Sequence, residues 1–160
     1  DLMKQRILFV CLGNICRSPA AEAILLNKLE KLKLIDKFDV DSAGTGNWHV
    51  GKLADSRMRE AALNRGISIK SRGRQISFDD FIKFDLILTM DNDNLKQVKS
   101  LNKELGTSSK AKIKPLLSYS IQTDLVEVPD PYYGGDNGFD QVLDLLEVAI
   151  DGLIKDIKVD

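Results

Sequence analysis

The sequence predicts an α/β fold: a single domain, residues 1–160, with a central four-stranded parallel sheet, helices on both faces, and an anion-binding loop between the first strand and the first helix. Three observations predict it. Short continuous apolar runs, of the kind a strand buried on both faces needs, alternate with longer stretches whose apolar residues recur at helical spacing. No internal repeat, linker or low-complexity tract interrupts that alternation. At 160 residues the chain is also long enough to bury a continuous core without disulfide staples.

The first run is Arg6 to Cys11, Arg-Ile-Leu-Phe-Val-Cys, a buried strand. A helix should follow, because Pro19 is tolerated in a first turn and Ala20, Ala21, Glu22, Ala23 and Leu25 are strong helix formers. Its apolar positions Ala21, Ile24, Leu25, Leu29 and Leu32 form one face. Phe38 to Ala43, ending at Gly44, is the second strand, and Thr45 to Leu53 reads as a long loop. Asp55 or Ser56 can cap a helix running through Arg65 and closed by Gly66. Ser77 opens a short helical piece before Asp85 to Met90, the third strand. Asp91 to Leu105 is helical with Gly106 as its stop, and Lys112 to Leu117 is the last strand. The prolines and glycines of Val128 to Gly135 forbid regular structure and predict a shaped loop. Phe139, Val142, Leu143, Leu146, Ile150, Leu153 and Ile154 then make the apolar stripe of a closing helix.

Composition narrows the function. Hydrophobic residues make up 43% and charged residues 29%, as in an ordinary folded chain. A formal net charge of -1 supplies no attraction for nucleic acid or an anionic membrane, and neither is expected as a partner. No apolar run approaches a membrane span, and Asp1 to Arg6 lacks the layout of a secretory signal, so a cytoplasmic location is expected. His49 is the only histidine and no cluster has metal-ligand spacing, so neither a metal nor a cofactor is expected.

The two cysteines, Cys11 and Cys16, are too few and too close for a disulfide framework. Cys11 ends a buried strand where the chain turns into a helix, and such a turn points several main-chain N–H groups and the positive end of the helix dipole at one spot. Arg17 adds a planar fork of donors matched to a tetrahedral oxyanion. A helix N-terminus and an adjacent guanidinium favour the thiolate, the nucleophilic form of cysteine. Full ionisation of an ordinary thiol is worth only about 30-fold at pH 7, so the larger catalytic effect must come from donors that hold a phosphoryl group in flight.

The string Cys11-Leu12-Gly13-Asn14-Ile15-Cys16-Arg17-Ser18-Pro19 closely resembles the phosphate-binding loop of low-molecular-weight protein tyrosine phosphatases. Ser42-Ala43-Gly44-Thr45, Met90-Asp91 and Asp130-Pro131-Tyr132 resemble that family's remaining signatures in order, so the likeness covers essentially the whole chain. The resemblance implies that Cys11 attacks phosphorus to form a thiophosphate, that Arg17 binds the phosphate and its transition state, and that Ser18 hydrogen-bonds the sulfur. It implies that residues Leu12 to Ser18 bind phosphate, that Asn14 and Ser42 hold the loop in shape, and that Asp130 is general acid and then base. It implies no metal, phosphotyrosine-containing proteins as substrates, and a chain acting as a monomer.

Asp130 also makes sense alone, since a carboxyl between two prolines sits on a stiff loop ready to reach over a neighbouring site. Tyr132 and Tyr133 can wall a slot for an aromatic ring, with Trp48 opposite. With the family's support, Cys16 can form a reversible disulfide with Cys11. Asp91 can orient Arg17 or cap the helix it begins.

Competing readings fail at particular residues. Gly46 to Lys52 matches Gly-x4-Gly-Lys, but Leu53 stands where a hydroxyl must ligate magnesium. A related arsenate reductase needs further cysteines, and none follows Cys16. A silent phosphoprotein-binding module is opposed by the presence of Cys11, Arg17 and Asp130 together. Relatives acting on phosphoarginine tend to carry Thr where this chain has Ile15, which favours phosphotyrosine. The larger tyrosine phosphatases carry a histidine where Val10 stands.

Overall fold

Gln5–Cys11 forms β1, the strand around which the rest is arranged. A computed structural model describes residues 4–157 apart from 134 and 136, with Tyr133 described in its main chain alone. The four strands, β1, β2 (Phe38–Gly44), β3 (Leu86–Thr89) and β4 (Lys112–Pro115), are all parallel in the order β2-β1-β3-β4. Cys11 pairs with Gly44 on one side, and Val10 pairs with Thr89 on the other. The carboxyl ends of three strands therefore meet where β1 stops, as a parallel sheet with its order reversing at β1 requires.

The helices are α1 (Arg17–Lys31), α2 (Ser56–Leu63), α3 (Phe78–Lys83), α4 (Asn92–Leu105) and α5 (Gly138–Ile157). Side chains of β1 alternate between two cores: Ile7, Phe9 and Cys11 join α1, α2 and α5, whereas Leu8 and Val10 join α3 and α4. This is why β1 reads as a continuous apolar run. The stripe on α5, from Phe139 to Ile154, is wholly buried. Gly152 lets α5 approach the turn Leu116–Tyr119, since a Cβ there would lie 2.0 Å from the Tyr119 carbonyl oxygen.

Three boundaries differ from the sequence reading. The last strand stops at Pro115 instead of Leu117, and Leu116–Tyr119 turns into a short 3-10 helix that buries Leu116 and Leu117. β4 is an edge strand with one partner, so the apolar pair is recruited by the core and not by the sheet. α2 ends at Leu63, short of Arg65, and Gly66 follows with φ +77. Asp91 caps α4 instead of belonging to it.

Candidate active site

The loop from Leu12 to Cys16 carries the chain from β1 into α1. Its carbonyls turn outward: those of Cys11, Leu12, Ile15 and Cys16 accept from the N–H groups of Thr45, Gly46, Asp55 and Ala20 at 2.8–3.3 Å. Asn14 N–H donates to Cys11 Sγ at 3.3 Å, while those of Leu12, Gly13, Ile15 and Cys16 donate to no protein acceptor among the described residues. Unpaired main-chain donors in one loop, at the start of a 15-residue helix, make a ready anion site.

Two features permit the tight turn. Asn14 has φ +57, a region that asparagine enters more easily than other side-chain-bearing residues. Gly44 passes so close beneath the loop that a Cβ there would lie 2.7 Å from the Leu12 carbonyl oxygen.

Buried polar side chains fix this shape. The Asn14 amide donates to Ser18 Oγ at 2.8 Å and Ser42 Oγ at 3.0 Å, and its carbonyl accepts from the Arg74 main-chain N–H at 2.9 Å. Ser18 Oγ is 3.0 Å from Cys11 Sγ. Ser42 donates onward to Glu22 Oε1 at 2.5 Å. Burial holds the Glu22 carboxyl above its ordinary range, against the Ser42 hydrogen bond and with help from nearby Asp41. The Arg74 guanidinium is clamped by both oxygens of Asp80 and by Asp41, at 2.9–3.0 Å. Three segments, α1, β2 and the one that carries Arg74, thus converge on Asn14.

Arg17 is 5% exposed, and Nη1 donates to Asp91 Oδ2 at 2.7 Å and to the Val128 carbonyl at 3.0 Å. These are its hydrogen bonds among the described residues, so the remaining edge of the fork is free for an oxyanion. Asp91 does two things at once, because its Oδ1 accepts from Asn94 N–H at 2.9 Å and caps α4. Asp130 and Arg17 line one cavity of about 340 Å³ with Leu12, Thr45 and Asp91. The Asp130 carboxylate accepts from Tyr132 N–H at 3.0 Å, a local turn that stiffens its loop.

Tyr132 reaches across to α2. Its hydroxyl donates to Asp55 Oδ2 at 2.7 Å, and its ring lies under the Arg57 guanidinium at 4.8 Å. Burial and the bond to Asp55 push the Tyr132 hydroxyl well above its usual range. Burial alone would raise Asp55, but donors from Arg57 and Tyr132 outweigh it and hold the carboxyl at about 2. Trp48 is 63% exposed and folds against Gly46. The side chain of Tyr133 lies outside the described residues. Cys11 and Cys16 are free and buried. The Cys16 thiol is pushed up to about 12 by burial and by the negative charge of Asp55 and Cys11.

Sequence reasoning missed Glu22, Arg74 and Asp55 as parts of the site. Glu22 had a signal, since it lies four residues after Ser18 and so on the same helical face. Asp55 was legible as a cap alone. Arg74 acts through its main chain, for which no residue type gives a signal. The ring of His49, which beside Trp48 is expected to influence substrate choice more than chemistry, lies over Gly13, 3.1 Å from where a Cβ would stand.

A parallel sheet whose strand β1 delivers a cysteine into a loop of unpaired main-chain donors, followed six residues on by a buried arginine, defines the class of cysteine-loop phosphatases. The sequence model of the family "Low molecular weight phosphotyrosine protein phosphatase" matches residues 6–160, and the chain belongs to that family. A low molecular weight phosphotyrosine protein phosphatase of Schizosaccharomyces pombe is 45% identical over 84% of this chain and 85% of its own. A crystal structure of a protein tyrosine phosphatase from Entamoeba histolytica superposes with TM-score 0.90 at 42% identity, covering 97% of each chain. A Drosophila arginine phosphatase superposes with TM-score 0.91 at 35% identity, over 96% of this chain and 98% of that one.

Proposed function

We propose that this chain hydrolyses phosphotyrosine on proteins, and other aryl phosphate monoesters, through a cysteinyl-phosphate intermediate and without a metal. The observation that carries the reading is Cys11 Sγ, bonded by the Asn14 N–H, in a loop whose other N–H groups have no protein acceptor among the described residues. In the first step Sγ attacks phosphorus and the bond to the phenolic oxygen breaks, while Asp130 passes its proton to the departing oxygen. Loop N–H groups and the free edge of Arg17 hold the three equatorial oxygens. Water then attacks phosphorus, Asp130 takes its proton, and the S–P bond breaks to release phosphate. Ser18 and Asn14 N–H stabilise sulfur as the leaving group of this second step, at 3.0 and 3.3 Å.

Leu12, Gly13, Ile15 and Cys16 serve through their main chain, and Asn14, Ser42 and Asp91 position the loop and Arg17. Tyr132 and Trp48 flank the entrance. The substrates are phosphoproteins, the working form is a monomer and the site of action is the cytoplasm; no helix among the described residues is long and apolar enough to cross a membrane. Release of p-nitrophenol from its phosphate near pH 6 in excess chelator tests the reading, with Cys11→Ser alongside. Metal-independent turnover abolished by the substitution is expected. No turnover by reduced wild-type protein would sink it.

The Drosophila likeness favours phosphoarginine as a second reading, which Ile15 opposes. A competition between phosphotyrosyl and phosphoarginyl peptides decides between them, with phosphotyrosine expected to win.

A further inference from the structure

We propose that the cavity between α3 and α4, beside the phosphate loop, is a subsite for an apolar side chain of the substrate polypeptide that flanks the phosphotyrosine. The proposal rests on the phosphotyrosine reading above. The cavity measures about 510 Å³, room for a whole aliphatic or aromatic side chain. Ile76, Phe78 and Leu101 supply its apolar wall, and Gln75 and Gln97 its polar edge. Phe78 is 46% exposed, an aromatic face unused by the core.

Two observations name the occupant. First, Thr45 and Gln97 line both this cavity and the one that holds Arg17 and Asp130, so the two are continuous. Thr45 is also the residue whose N–H donates to the Cys11 carbonyl at 3.0 Å, which places the shared wall beside the nucleophile. Neighbouring residues of an extended chain are about 3.4 Å apart along the strand, so one next to a bound phosphotyrosine can reach this wall. Second, the charge pattern is divided. Asp91, Asp93, Glu127 and Asp130 line the reaction cavity, while no charged side chain lines the second one. An acidic flanking residue is repelled, and an uncharged apolar one gains burial.

The test uses phosphotyrosyl peptides identical except for Leu, Ala or Asp on either side of the phosphotyrosine, with p-nitrophenyl phosphate as a substrate that has no flanks. Wild-type protein should prefer the Leu over the Ala peptide by about tenfold in kcat/KM, the scale of one apolar pocket contact. Phe78→Ala removes the aromatic wall. Ser100→Trp fills the cavity from an exposed position on α4. Each should bring the Leu/Ala ratio to within about twofold, with folding checked by circular dichroism, while the Asp peptide stays the poorest through repulsion by the reaction cavity. Brisk turnover of all peptides without flank preference, or a preference that survives both variants, overturns the subsite alone. Turnover of p-nitrophenyl phosphate with none of any phosphotyrosyl peptide overturns the phosphotyrosine reading, and the subsite with it.

Discussion

Glu22 is an acidic side chain placed under a site built to attract anions, and its protonation decides what that placement costs. Burial raises its carboxyl above the range it has in the unfolded chain, about 4.3. Between those two values the native state holds a proton that the unfolded state has released, so stability falls as pH rises through the window. The slope there is at most about 1.4 kcal/mol per pH unit. Glu22→Gln keeps an acceptor for Ser42 and carries no titrating group. Urea unfolding from pH 4 to 8 should show the variant losing this slope and exceeding the parent above the window. Parallel pH curves for the two proteins would refute the assignment.

Cys16 and Cys11 are five residues apart and occupy opposite chemical situations. With its thiol pushed up to about 12, Cys16 stays protonated at neutral pH. Cys11 Sγ accepts from the Asn14 N–H, lies 3.0 Å from Ser18 Oγ and sits where anions are favoured. Iodoacetamide at pH 7 should therefore alkylate Cys11 first, by at least about tenfold in rate, as read by peptide mass spectrometry. Equal labelling, or Cys16 first, would contradict the geometry.

At the scale of elements, α5 offers a prediction whose sign is opposite to the ordinary rule. Replacing a glycine inside a helix by alanine usually stabilises by about 1 kcal/mol. Gly152 lies where α5 meets the turn Leu116–Tyr119, and a Cβ would stand 2.0 Å from a main-chain oxygen that has no freedom to withdraw cheaply. Gly152→Ala should destabilise by about 1 to 3 kcal/mol, the usual cost of overpacking. A raised melting temperature would show that the turn yields. The turn itself was misread from sequence as the end of β4, because an apolar pair after a strand looks the same whether sheet or core recruits it. Asp55 illustrates the same limit. Its capping of α2 followed from residue type, whereas its bond to Tyr132, 77 residues away, had no local signal.

For the molecule as a whole, the alternation of strands and helices and the phosphate loop were the most legible parts, because both are written in contiguous sequence. Ile7 to Cys11 must be buried on both faces, and a cysteine followed by an arginine after five residues has few uses at such a strand end. The support around Asn14 was legible only through resemblance. Its members come from α1, β2 and the 72–76 segment, which a single sequence leaves unconnected. Arg74 was missed altogether, since a main-chain donor can be supplied by almost any residue.

The position of β1 in the sheet has a consequence for synthesis. The strand that carries Cys11 is made before β2 and β3, its two neighbours in the sheet, and well before the proposed acid at Asp130. A nascent chain arrested before residue 86 holds the complete Cys11-to-Ser18 motif but lacks β3 and the carboxylate that fixes Arg17. The surroundings of Cys11 are therefore assembled only after later segments have been made, so the loop and the groups that complete it come together after translation has passed Asp91 and Asp130.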